Sequence, residues 1–185
     1  LYQALLEARE AELRRPGSAR QLLCTVLRIK PNLEMLLRAA PPGQERIGFL
    51  ERAARCFEVR HPFVEGVDGA LAALDPDLPE PRLRSARRLW LRGDRQGSLE
   101  VLRTLVARLP DHPGANLALG RALLDAGRFE EALKLSQQAE LRIGSNWDLV
   151  ELRARAYSGL EDAGAMRDSV AELRSLAPGD VGRLK

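Results

Sequence analysis

Aromatic side chains are scarce in this sequence: four phenylalanines, two tyrosines and two tryptophans among 185 residues. β-Branched residues are few as well. Both shortages argue against a sheet, whose pleated surface selects for those types. Histidine occurs only twice, at His61 before a proline and at His112 in the turn between Pro110 and Pro113. Each reads as a surface turn residue rather than a catalytic base or metal ligand. No serine lies in a nucleophile-elbow context. Glycine-rich phosphate-binding fingerprints are missing too, and Gly93-Asp94-Arg95 reads as a turn. The acid pair Glu130-Glu131 starts a helix, where it favours the positive end of the helix dipole. No catalytic residue, metal site or cofactor is therefore expected, and the chain is not read as an enzyme by itself.

Cysteine is equally sparse. Cys24 and Cys56 stand 32 residues apart with no Cys or His near them at ligand spacing. A disulfide is open in principle, but two buried free thiols are the expectation. No apolar run approaches the length of a membrane span, and no signal peptide is visible. The first residue is Leu1 rather than Met, so the chain reads as an excised or processed piece. A missing targeting segment then means little, and a cytoplasmic location is the working expectation.

What the sequence does contain is ordinary for a soluble protein: 45% hydrophobic and 30% charged residues. Its length suffices for one core or for one elongated array. Of 29 basic residues only Lys30, Lys134 and Lys185 are lysine, which leaves 26 arginines. That bias reads as a GC-rich genome rather than a function. Acids are interleaved with the arginines throughout, so the net charge is only +3. A dedicated nucleic-acid binder would show a denser, one-sided basic cluster, and none is expected as a partner.

The chain is organised around 111–144, which reads as two amphipathic helices joined at Gly127. Leu117, Leu119, Leu123 and Leu124 recur at helical spacing in the first half; Phe129, Leu133 and Leu135 do so in the second. The pattern echoes at a 34-residue period. Shifting back places Gly93 on Gly127, Ala86 on Gly120, Leu89 on Leu123, Ser98 on Ala132 and Pro110 on Gly144. Shifting forward places Ala154 on Gly120 and Tyr157 on Leu123. The next glycine, Gly164, comes 37 residues after Gly127, which implies a three-residue insertion around 158–163. A non-repetitive helical bundle is the competing reading.

With Leu119-Gly120 and Leu123 in a leucine-glycine-x-x-tyrosine slot, and Ala132 and Ala139 where helices must approach closely, the unit resembles a tetratricopeptide repeat. Asn116 replaces the usual tryptophan of that family, Ser136 the usual phenylalanine and Gly144 the closing proline. Three such repeats are expected at 79–112, 113–146 and 147–180. One helix pair cannot bury its apolar face alone, and stacking successive pairs does so.

Elsewhere the chain reads as helical. A first helix runs to Arg15, with Leu5, Leu6, Ala8 and Leu13 on its buried side. Pro16-Gly17 breaks it and Ser18 caps the next, which reaches Ile29. A short helix spans 32–40. Residues 1–43 could be a diverged repeat, a cap or the edge of a neighbouring domain. A longer helix is expected over 44–59, then one over 63–74 weakened by Gly66 and Gly69. Together these make 44–78 a diverged helix pair. Asp75 to Pro81 reads as a rigid turn between repeats, or else as a hinge. The last helix ends near Leu176 and is stopped by 177–180, with 181–185 as a tail. Leu173 and Leu176 look too apolar for a terminal cap, so further chain is expected.

The fold class that follows is all-α, and the resemblance implies a right-handed superhelix of antiparallel helix pairs, ten or eleven helices in all. It also implies that first helices line a concave groove. Counting from 79, 113 and 147, the ninth residues are Arg87, Arg121 and Arg155, and such positions face the groove in similar repeats. Arg84 and Trp90 would extend the ladder, with Asp125 as a neighbouring acid. A planar guanidinium fork suits carboxylates. The expected function is a protein-interaction scaffold binding an acidic peptide or partner protein. The alternative is an accessory, substrate-positioning region of a larger enzyme such as a glycosyltransferase or sulfotransferase.

Overall fold

The computed structural model describes residues 1–15 and 19–176, and every regular element among them is an α-helix. The helices are α1 (Tyr2–Arg14), α2 (Arg20–Ile29), α3 (Leu33–Ala39), α4 (Glu45–Ala54), α5 (Pro62–Leu74), α6 (Pro79–Leu91), α7 (Arg95–Arg108), α8 (Pro113–Asp125), α9 (Phe129–Ile143), α10 (Trp147–Gly159) and α11 (Ala163–Leu176). The break at 16–18, the Ser18 cap, the stop at 177–180 and the tail at 181–185 lie outside the described residues. The chain divides into two compact units, one over Leu1–Arg88 and one from Leu89 onward, so the division falls within α6.

In the first unit α1 packs on α2, α3 and α4, and α5 packs on α3 and α4. Leu5, Leu23, Leu27, Leu36, Phe49, Leu50, Val64, Val67 and Leu71 make one continuous buried core. Each such side chain contributes about 1.5–3 kcal/mol of burial. Helix starts are marked by capping side chains. Asn32 accepts from the Met35 N–H, and His61 Nδ1 accepts from the Phe63 N–H. The helix expected over 44–59 is shorter than its apolar pattern suggested. It ends at Ala54, after which the Cys56 and Phe57 N–H groups bond only three residues back, to Ala53 and Ala54.

The cysteines require a correction. Cys24 and Cys56 form a disulfide, not two free thiols, with Cα atoms 5.0 Å apart. Spacing alone could not show that α2 lies against α4, which is what brings the end of α4 beside Cys24.

In the second unit each helix packs on the next from α7 to α11, and α8 also packs on α10. Gly120 makes that last approach close: a Cβ there would lie 2.0 Å from Leu152 Cδ1. Ala132, Ser136 and Ala139 give α9 a small, fully buried face. Between repeats, Asn116 is buried at 1% exposure and donates to the carbonyls of Pro110 and His112 at 2.8 and 3.0 Å. It ties the inter-repeat turn from the slot where the repeats it resembles carry tryptophan.

The expected insertion is absent. The first helices α6, α8 and α10 each span 13 residues and begin 34 residues apart. The turns repeat bond for bond. The N–H groups of Asp94, Arg128 and Asp162 donate to the carbonyls of Leu89, Leu123 and Tyr157. The turn residue has positive φ in all three: 89° at Gly93, 71° at Gly127 and 59° at Glu161. Glu161, not Gly164, is the counterpart of Gly127, and Gly164 lies inside α11. Glycine was the wrong marker because an L-residue can hold this conformation at a cost.

Candidate functional site

Helix spacing sets which side chains of α8 and α10 stay on the surface. Their buried faces hold Ala115, Leu119, Leu123, Leu149, Leu152 and Ala156, among others. The face left over carries Arg121, Asp125, Asp148 and Arg155, all exposed, with Glu151 half-buried between them. Arg121 Nη2 lies 3.6 Å from Asp148 Oδ1 and 3.9 Å from Glu151 Oε2, and Arg155 Nη1 lies 4.0 Å from Glu151 Oε1. Both arginine side chains are 51% exposed. Long, solvated ion pairs of this kind hold a side chain weakly, by about 0–1 kcal/mol. The face is thus a strip of alternating charge in which Glu151 links Arg121 to Arg155. Asp125 forms no part of those pairs.

The remaining residues of the expected ladder are placed differently. Arg87 is exposed on α6. Trp90 is half-buried, with the Arg95 guanidinium 5.4 Å from its ring centroid, a cation–π contact. Arg84 turns inward. Its Nη1 and Nη2 donate to the two Glu51 oxygens at 2.8 Å each, and its Nε donates to Asp68 Oδ1 at 2.7 Å. Arg88 completes the cluster through Nη1 to Asp68 Oδ2 at 2.6 Å. Burial opposes the charge on Arg84, but the hydrogen bonds to Glu51 and Asp68 outweigh it and raise its pKa further. The geometry makes Arg84 the clasp that fixes α6 to α4 and α5.

Sequence reasoning missed Glu51, Asp68 and Arg88. A signal existed: Asp68 falls four residues after Val64 and three before Leu71, a core slot of α5, where a charge needs a partner. It missed a second cluster as well. Arg153 on α10 bonds Glu140 on α9 at 2.6 Å and also pairs with Glu172 on α11, which accepts from Ser145 Oγ at 2.9 Å. Burial pushes the Glu140 carboxyl above its ordinary range, whereas the Ser145 hydroxyl, followed by Arg153, holds Glu172 below it. Both histidines act as helix caps, His112 Nδ1 accepting from the Ala115 N–H at 3.1 Å. Among the described residues no group of three His, Cys, Asp or Glu could hold a metal ion, and no helix is long and apolar enough to cross a membrane.

Residues 89–156 match the tetratricopeptide repeat family. Among solved structures, a thermophilic TPR protein of Thermus thermophilus aligns with 97% of this chain and 93% of its own, at a TM-score of 0.56 and 18% identity. A Podosopora anserina protein of nearly identical TPR-like repeats aligns over 95% and 93%, at 0.57 and 18%. The MamA RS-1 double mutant covers 88% of this chain and 77% of its own, at 0.52 and 20%. At such identities the likeness is one of fold. No curated protein sequence matches the chain.

Proposed function

We propose, for a chain whose residues 89–156 match the tetratricopeptide repeat family, the role of a protein-interaction scaffold, with the exposed face of α8 and α10 as the seat of a partner's peptide segment. The observation that carries this reading is the pair Arg121 and Arg155. They stand one repeat apart, half-exposed, and are held only by ion pairs of 3.6–4.0 Å. A carboxylate arriving in bidentate geometry replaces such contacts with shorter, stronger ones. Asp125 and Asp148 on the same face call for cations in the partner. The best-fitting ligand is therefore a segment of mixed charge whose acidic residues meet the two arginines. Arg87 and Trp90 remain candidates for additional contacts on α6, and Arg84 is left to its internal role. Nothing on this face favours the alternative of a substrate-positioning region within an enzyme.

The test is a titration of a fluorescent peptide of alternating Glu and Lys, followed by anisotropy at low salt, where such contacts are least screened. Arg121→Glu combined with Arg155→Glu should abolish binding while the helical circular dichroism is kept. Equal affinity for the variant and the parent would remove the assignment.

The disulfide bears on location. Such bonds persist in oxidising compartments and are reduced in most cytosols. A protein that keeps the Cys24–Cys56 bond belongs in an oxidising environment rather than in the cytoplasm expected from the sequence. Thiol alkylation of protein taken directly from its source cells decides between the two: labelling of Cys24 and Cys56 without prior reduction would return it to a reducing compartment.

A further inference from the structure

A cleft in the first unit plays no part in that reading. It encloses about 310 Å3 between α1, the segment at Pro41 and α4. That is the low end of the range for small-molecule sites, roughly 300–1,000 Å3. Two arginines line it, Arg9 from α1 and Arg52 from α4. Glu12, only 4% exposed, orients the second. One of its oxygens lies 2.6 Å from Arg52 Nε, and the other accepts from the Ala19 N–H at 3.1 Å. That pairing offsets the Glu12 charge, and the Arg52 side chain stays 28% exposed at the wall of the cleft. The Arg9 guanidinium donates through Nη2 to Glu10 Oε1 at 2.6 Å, which leaves its buried Nε without a hydrogen-bond acceptor among the described residues. Both arginines thus bring guanidinium groups to the wall of the cleft.

The rest of the lining is complementary. Glu45, on the first turn of α4, is exposed and offers a carboxylate. Leu13, Pro41 and Phe49 provide an apolar wall. Gly48 sits in the middle of α4, where glycine is less favourable than alanine. A Cβ there would lie 3.3 Å from Arg52 Nη1, so glycine keeps space open around the guanidinium. Guanidinium donors, an exposed carboxylate and an apolar wall around one small volume are the three contacts of a zwitterion with a hydrocarbon side chain.

We propose that this cleft binds a free α-amino acid with an apolar side chain. Its carboxylate meets Arg52 and Arg9, its ammonium meets Glu45, and its side chain lies against Leu13, Pro41 and Phe49. The site is independent of the peptide face on α8 and α10, and neither stands or falls with the other.

Calorimetric titration of the full chain with L-leucine, N-acetyl-L-leucine and L-leucinamide tests the assignment. L-leucine should bind saturably. The acetylated compound, which lacks the ammonium, and the amide, which lacks the carboxylate, should each bind about tenfold more weakly, as expected for loss of one charge-assisted hydrogen bond. Glu45→Gln alters an exposed side chain, so the fold is kept. It should weaken L-leucine and remove its advantage over N-acetyl-L-leucine. Gly48→Ala should raise the melting temperature, through helix propensity, while weakening L-leucine. No saturable heat with L-leucine at tens of millimolar overturns the proposal, and so does equal affinity for L-leucine and N-acetyl-L-leucine.

Discussion

Glu161 holds a backbone conformation that its counterparts Gly93 and Gly127 adopt without a Cβ to hinder them. A left-handed L-residue costs about 1–2 kcal/mol. Replacing it with glycine relieves that strain but gives the unfolded chain back about 0.4–1 kcal/mol of entropy. The first effect is the larger. Glu161→Gly is therefore expected to stabilise the protein by roughly 0.5–1 kcal/mol, read as a higher urea midpoint at unchanged slope. A lower midpoint would mean that the Glu161 side chain makes a contact worth more than its strain. Asn116 replaces stacking bulk with two hydrogen bonds that hold the turn at Pro110–His112.

At the scale of elements, two devices fasten helices whose apolar faces alone would let them slide. Asp68 takes one bond from Arg84 and one from Arg88, and is almost wholly buried beside Arg88. Removing one member of such a cluster strands the opposite charges. Asp68→Ala is expected to cost about 3–5 kcal/mol in urea unfolding, and a loss below about 1 kcal/mol would mean that water already reaches the cluster. The Cys24–Cys56 bond closes a loop over a sequence separation of 32. On loop-closure entropy that contributes about 3–4 kcal/mol. Reduction, or Cys24→Ser with Cys56→Ser, should lower the melting temperature of the first unit's transition by several degrees. An unmoved transition would show that α2 and α4 hold together without it.

For the whole molecule the expected signature is in acid. Glu172 is held below its ordinary range, so it contributes stability that is present above about 4.5, the ordinary carboxyl value, and is lost as pH falls through its depressed value. Glu140 is raised, so its sign is opposite. The folded state favours its protonated form, and that contribution fades as pH rises from the ordinary value through the raised one. Glu172→Gln should therefore flatten the acid limb of a stability–pH profile, and Glu140→Gln should steepen it. Identical profiles for both variants and the parent would show that the cluster around Arg153 is too solvated to couple to folding.

The helical class, the 34-residue period, the starts of α6, α8 and α10, and the turns at Gly93 and Gly127 were all legible in the sequence. Apolar spacing and turn chemistry are local properties, fixed by helix geometry whatever lies around them. Where Arg87, Arg121 and Arg155 fall on their helices follows from the repeat register, and all three are exposed. Partnership was not legible. Arg84 stands in the same kind of helical position as residues left in solvent, and only the packing of α6 on Glu51 and Asp68 turned it inward. The disulfide, the cleft at Arg9 and Arg52 and the turn at Glu161 were decided in the same way. Each depends on side chains distant in sequence, or on a strain that surrounding structure holds in place, and neither leaves a mark on the spacing of residues along the chain.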